Sequence, residues 1–97
     1  MKTVEEIRQI LKEKLGSICS KYNVKALGIF GSYVKGVQKE VSDIDIIVEF
    51  GEPVSLLKLV SLENFLTDIV GANVDLVPKE DIRPELKERI LSEVVYV

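Results

Sequence analysis

With 97 residues, 46% of them hydrophobic and 30% charged, the chain has room for one core and reads as a single domain spanning 1–97. A formal net charge of -3 argues against nucleic-acid binding driven by a basic surface, so no direct nucleic-acid partner is expected. One cysteine, Cys19, and no histidine exclude an internal disulfide, the usual Cys/His zinc sites and any His general base, which leaves the carboxylates to carry any chemistry.

The N-terminal "MKTVEEIRQILKEKL" is charged throughout and lacks the apolar centre of a secretory signal. No apolar run reaches membrane length, and cytoplasmic residence is expected. Thr3 and Glu6 fit a capping box, and Val4, Ile7, Leu11, Leu15 and Ile18 recur at helical spacing, predicting a first helix from about Val4 to Tyr22. Cys19 falls near its apolar side, as a small core residue does. "KALGIF" (Lys25–Phe30) predicts a buried strand running into a turn at Gly31, and "SDIDIIVEF" a second strand ended by Gly51 and Pro53. About a dozen residues with two polar turns separate these strands, a short span for a full crossover helix, so hairpin-like or mixed pairing fits better.

Leu56, Leu59, Val60, Glu63, Leu66, Ile69 and Val70 then predict a helix with a broad apolar face, capped by Gly71. "NVDLV" (Asn73–Val77) reads as a third strand. Pro84 suits the first turn of a last helix carrying Leu86, Ile90 and Leu91. The closing "VVYV" is either a frayed end or a short edge strand; it finishes the core or meets another chain, a homodimer included. Arg83, Lys87 and Arg89 lie on what reads as a solvated helix face, with contact to an acidic partner as the alternative. The expected fold class is α/β (α+β), a small mixed sheet of three to four strands flanked by helices.

Asp43 and Asp45 project from one face of the second strand, roughly 6.5 to 7 Å apart between Cα atoms, while Ile44, Ile46 and Val48 take the other. On spacing alone such a pair is more often a set of solvated loop residues or caps. Two converging carboxylates nonetheless stay ionised most easily around a hard cation such as Mg²⁺. Asp75, at the centre of the third strand, would supply a third carboxylate if that strand neighbours the second. Three would be enough for two ions about 3.5 to 4 Å apart and an in-line phosphoryl displacement. In "GSYVKG" (Gly31–Gly36), Gly31 and Ser32 place bare backbone N–H groups and a hydroxyl after a buried strand, where a triphosphate could sit. Alone, that Gly-Ser is more often just a turn. Tyr33 is read as a packing residue, with base stacking as the alternative.

A strand, Gly-Ser, a short spacer to Gly36, Ser-Asp-Ile-Asp with apolar residues, and a later Val-Asp-Leu-Val together resemble the DNA polymerase β-like nucleotidyltransferases. More narrowly, over roughly 24–97, they resemble the minimal nucleotidyltransferase (MNT) group, many of whose members are antitoxins paired with HEPN-domain ribonuclease toxins. The resemblance implies a nucleotidyltransferase fold, two Mg²⁺ ions and ATP as substrate. It implies phosphate binding by Gly31 and Ser32, metal binding by Asp43 and Asp45, and a metal-binding or basic role for Asp75. In the antitoxin branch it implies transfer of AMP to a tyrosine hydroxyl of the toxin. The spacer departs from the pattern: Lys35 stands where the group often has Arg, keeping the charge in the expected nucleotide contact but losing the bidentate fork. Two other classes remain open: a catalytically idle module that neutralises a partner by contact, and transfer to a small molecule such as an aminoglycoside, for which 97 residues leave little acceptor-binding room.

Overall fold

The computed structural model describes residues 3–31 and 43–97. Helix α1 (Val4–Tyr22) starts where the capping box predicts: the Glu6 N–H donates to Thr3 Oγ1 at 3.2 Å and the Thr3 N–H donates to Glu6 Oε1 at 3.3 Å. It ends at Asn23, a left-handed cap with φ 57°. Strand β1 (Val24–Phe30) follows at once, then β2 (Ile44–Phe50), α2 (Leu56–Val70), β3 (Val74–Pro78), a 3₁₀ turn (Lys79–Asp81), α3 (Pro84–Glu93) and the two-residue β4 (Val95–Tyr96). The tail is thus an edge strand rather than a frayed end.

Among the described residues the sheet has four strands, in the order β3-β2-β1-β4. β1 runs antiparallel to β2 and to β4, whereas β2 and β3 are parallel, joined through α2. The sheet is therefore mixed, and its first two strands pair antiparallel, one of the arrangements the short spacer favours. One extra residue on β1 between Val24 and Ala26 shifts the register against Phe50 and Glu49. This bulge lets Val24 and Leu27, an odd number of residues apart, both be buried.

The core lies between one sheet face and helices α1 and α2. Ile7, Leu11 and Ile18 of α1, Leu62, Leu66 and Val70 of α2, and Leu27, Ile29, Ile44, Ile46 and Val48 of the sheet are almost fully buried together, with Cys19 packed against them. The apolar face of α2 is narrower than the sequence predicts. Leu56 is 74% exposed and Val60 44%, so the buried stripe runs Leu62-Leu66-Val70 and the first turn of the helix presents apolar side chains to solvent. Helix α3 buries none of its residues; Leu86 is exposed, and Ile90 and Leu91 are half-buried.

β3 is an edge strand, and α2 closes that edge. In a parallel pair, alternate N–H groups point away from the neighbour. On β3 these are Val74 N–H, which donates to Thr67 Oγ1 at 3.2 Å, and Leu76 N–H, which donates to Glu63 Oε2 at 3.0 Å. Two side chains of the crossover helix thus satisfy an edge that would otherwise be open to pairing with another strand. Among the described residues no helix is long and apolar enough to cross a membrane.

Candidate active site

The second sheet face carries the aspartates. Strand alternation turns Ile44, Ile46 and Val48 into the core and Asp45, Ile47 and Glu49 onto the opposite face. In the parallel pairing Asp45 stands directly beside Asp75, and in the antiparallel pairing it stands beside Phe30, the last residue of β1. Asp43 immediately precedes β2 and is exposed. The chain turns at Gly31 beside the start of β2, so the end of β1 and the starts of β2 and β3 meet at one end of the sheet.

The electrostatics of Asp45 report that crowding. Burial first, then the negative charges of Asp75 and Asp43, push its carboxyl above the usual carboxylate range. Gly31 has φ +80°, and a Cβ there would run into Asp45 Oδ2. Both the left-handed backbone and the close approach to the Asp45 carboxylate therefore call for glycine. The Ile44 N–H donates to the Asn73 carbonyl at 2.9 Å, tying the start of β2 to the residue before β3 and fixing the Asp45–Asp75 register.

Of the residues singled out in the sequence, Gly31, Asp43, Asp45 and Asp75 lie at this one end of the sheet. Ser32, Tyr33, Lys35 and Gly36 lie outside the described residues. Among the described residues no three Asp, Glu, His or Cys side chains close into a ready-made metal cage. Mg²⁺ does not need one: it keeps several waters and binds through one or two carboxylates together with substrate phosphates. A half-buried carboxyl that neighbouring charges make reluctant to ionise, beside a backbone cradle that a Cβ would fill, fits such an ion.

Sequence reasoning did not find the edge contacts of Glu63 and Thr67, which hold the strand bearing Asp75. The available signal was a polar pair, Glu63 and Thr67, four residues apart beside the apolar Leu59, Leu62, Leu66 and Val70. A cavity of about 300 Å³ lies away from the aspartates, at the opposite ends of β2 and β3, against Phe50, Pro78, Glu49, Lys79 and Lys87. There the Lys79 Nζ sits 3.8 Å from Glu49 Oε1, and at that end of the face the charges are paired rather than massed.

A mixed four-stranded sheet with acidic side chains at the starts of two parallel strands, beside a left-handed glycine, defines a nucleotidyl-transfer type of fold. The nucleotidyltransferase domain family matches residues 4–97, and the chain belongs to that family. Protein adenylyltransferase MntA of Thermococcus cleftensis is 44% identical over 97 residues, with 100% of this chain and 98% of that one covered. A solved structure of a protein proposed to be a minimal nucleotidyltransferase superposes with a TM-score of 0.81 at 31% identity, covering 97% of this chain and 95% of the other. A chain of a Shewanella oneidensis complex, a tri-AMPylated HEPN toxin with its MNT antitoxin, superposes with a TM-score of 0.65 at 20% identity, covering 92% of this chain and 70% of that one; this likeness concerns the fold.

Proposed function

We propose that the chain is a Mg²⁺-dependent adenylyltransferase that moves AMP from ATP onto a hydroxyl of a partner protein, a tyrosine of a HEPN-type toxin. The observation that carries the proposal is the register pairing of Asp45 with Asp75 beside Gly31, with Asp43 adjoining. The family membership and the similarity to a protein adenylyltransferase support it. The toxin partner is suggested by the sequence resemblance and by the company that the fold neighbour keeps.

In this reading Asp43, Asp45 and Asp75 hold the divalent ions. Mg²⁺, when bound, supplies charge neutralisation to the phosphates and to the leaving group. Gly31, lacking a Cβ, lets phosphate oxygens approach the backbone beside Asp45, and Ser32 and Lys35 are assigned to the same triphosphate. The acceptor hydroxyl oxygen bonds to the α-phosphorus as the bond from that phosphorus to the bridging oxygen breaks, and pyrophosphate departs with the electron pair. The Asp75 carboxylate, at the outer strand, takes the hydroxyl proton. No histidine exists to do so.

The test is transfer from α-labelled ATP to the partner, with wild type and an Asp43→Asn/Asp45→Asn double variant. The proposal expects label on the partner with wild type and none with the double variant; undiminished labelling by the double variant would refute the assignment. A second reading, a module that neutralises its partner by contact alone, is favoured by the exposed Leu56, Leu57 and Val60 on the first turns of α2. It expects the double variant to protect against the partner as well as wild type does.

A further inference from the structure

The aspartate-bearing face continues beyond the carboxylates into an apolar shelf. Gly28 of β1 pairs with Ile47 of β2 on one side and with Tyr96 of β4 on the other. A Cβ at Gly28 would collide with Val94 Cγ1 and lie 3.3 Å from Ile47 Cγ2 and 3.4 Å from Tyr96 Cδ1. Ile47, Val94 and Tyr96 therefore converge over the bare backbone of Gly28, on the same side of the sheet as Asp45. Ile47 is buried in this contact, whereas Tyr96 stays 47% exposed.

Tyr96 is also fixed in place. Its carbonyl accepts from Arg8 Nε at 3.0 Å, and the next residue, Val97, donates its N–H to the Leu27 carbonyl at 3.0 Å. Among the described residues its hydroxyl has no hydrogen-bond partner. An aromatic ring held by its backbone, braced on one edge and half open to solvent is a surface ready for a second planar group. From Asp45 to Tyr96 the path crosses two strand spacings and two residues along the ladder, roughly 12 Å between Cα atoms, and the ring leans back toward Gly28 along it.

We propose that Tyr96 is a further nucleotide-binding residue, its ring the platform on which the base of the nucleoside triphosphate stacks while the phosphates lie at Gly31 and Asp45. The inference rests on the adenylyltransferase reading and adds the part of the site that holds the base. Base–aromatic stacking is removed by alanine at a cost on the order of tenfold in affinity, and it discriminates ATP from inorganic triphosphate, which has no base.

Binding of ATP and of inorganic triphosphate is measured calorimetrically with Mg²⁺ for wild type, Tyr96→Ala and Tyr96→Phe, with circular dichroism to verify folding. The expected result is about tenfold weaker ATP binding in Tyr96→Ala, unchanged triphosphate binding and recovery in Tyr96→Phe, with KM for ATP rising rather than kcat falling. The chain contains no tryptophan, so Tyr96→Trp adds a sole indole whose emission ATP should quench and triphosphate should not. Wild type that binds ATP while Tyr96→Ala binds it equally well overturns this inference alone, as does a KM shift confined to the acceptor protein. Wild type that binds no ATP overturns this inference together with the adenylyltransferase reading.

Discussion

Replacing Asp45 with Asn should make the metal-free protein more stable. Asp45 stands about 4.8 Å from Asp75 between Cα atoms, the spacing of paired strands, and two like charges about 5 Å apart repel by roughly 0.8 kcal/mol in a water-like dielectric. The side chain is half-buried, so screening trims that figure while partial desolvation and the Asp43 charge add to it. The net gain from an uncharged, equally sized amide is about 1 kcal/mol, or about 4–8 °C in Tm for a domain of this length. Because the folded carboxyl keeps its proton to higher pH than the unfolded one, its contribution to stability is complete below the ordinary value of 3.8 and disappears as pH rises through the raised folded value. The advantage of Asp45→Asn should therefore be largest near neutral pH and vanish in acid. Thermal melts in EDTA at low salt, across that range, measure it; Mg²⁺ with ATP should then stabilise wild type and not the variant. Equal or lower stability of Asp45→Asn at neutral pH would refute the picture of a charge-crowded site.

Glu63→Ala orphans the Leu76 N–H on the edge of β3 and should cost about 1–2 kcal/mol, read as a lower denaturant midpoint and faster amide exchange at Leu76. Gly31→Ala meets both a left-handed backbone and the Asp45 carboxylate; the backbone alone costs about 1–2 kcal/mol, and ATP-dependent stabilisation should be lost with it. Gly28→Val drives two methyl groups into Val94 and should detach β4, seen as loss of protection at Val97, whose N–H bonds to Leu27.

Local signals were sufficient where one segment decided its own structure. The Thr3/Glu6 capping box marks the start of α1 to the residue, and the alternation after Asp43 puts Ile44, Ile46 and Val48 on the core face of β2 with Asp45 on the other, while Asp43 itself, read as a strand residue, lies just before the strand. Nothing within "LLKLV" says that Leu56 and Val60 would stay outside the core, because only the angle at which α2 lies on the sheet decides which part of an apolar helix is covered. The neighbourhood of Asp75 was likewise a tertiary fact: "NVDLV" reads as a strand, but its place beside β2 depends on α2 bridging the two and on Glu63 and Thr67 holding the outer edge. The Tyr96 shelf requires β4 to cross to the far side of β1, which two residues of strand cannot announce in sequence.

The measurement that bears most directly on the account is the intact mass of the partner chain after incubation with ATP and Mg²⁺, using wild type and Asp75→Asn. One or more AMP units should be added by wild type and none by Asp75→Asn, although both variants form the complex. A partner left unmodified by wild type, or modified as fast by Asp75→Asn, would contradict it.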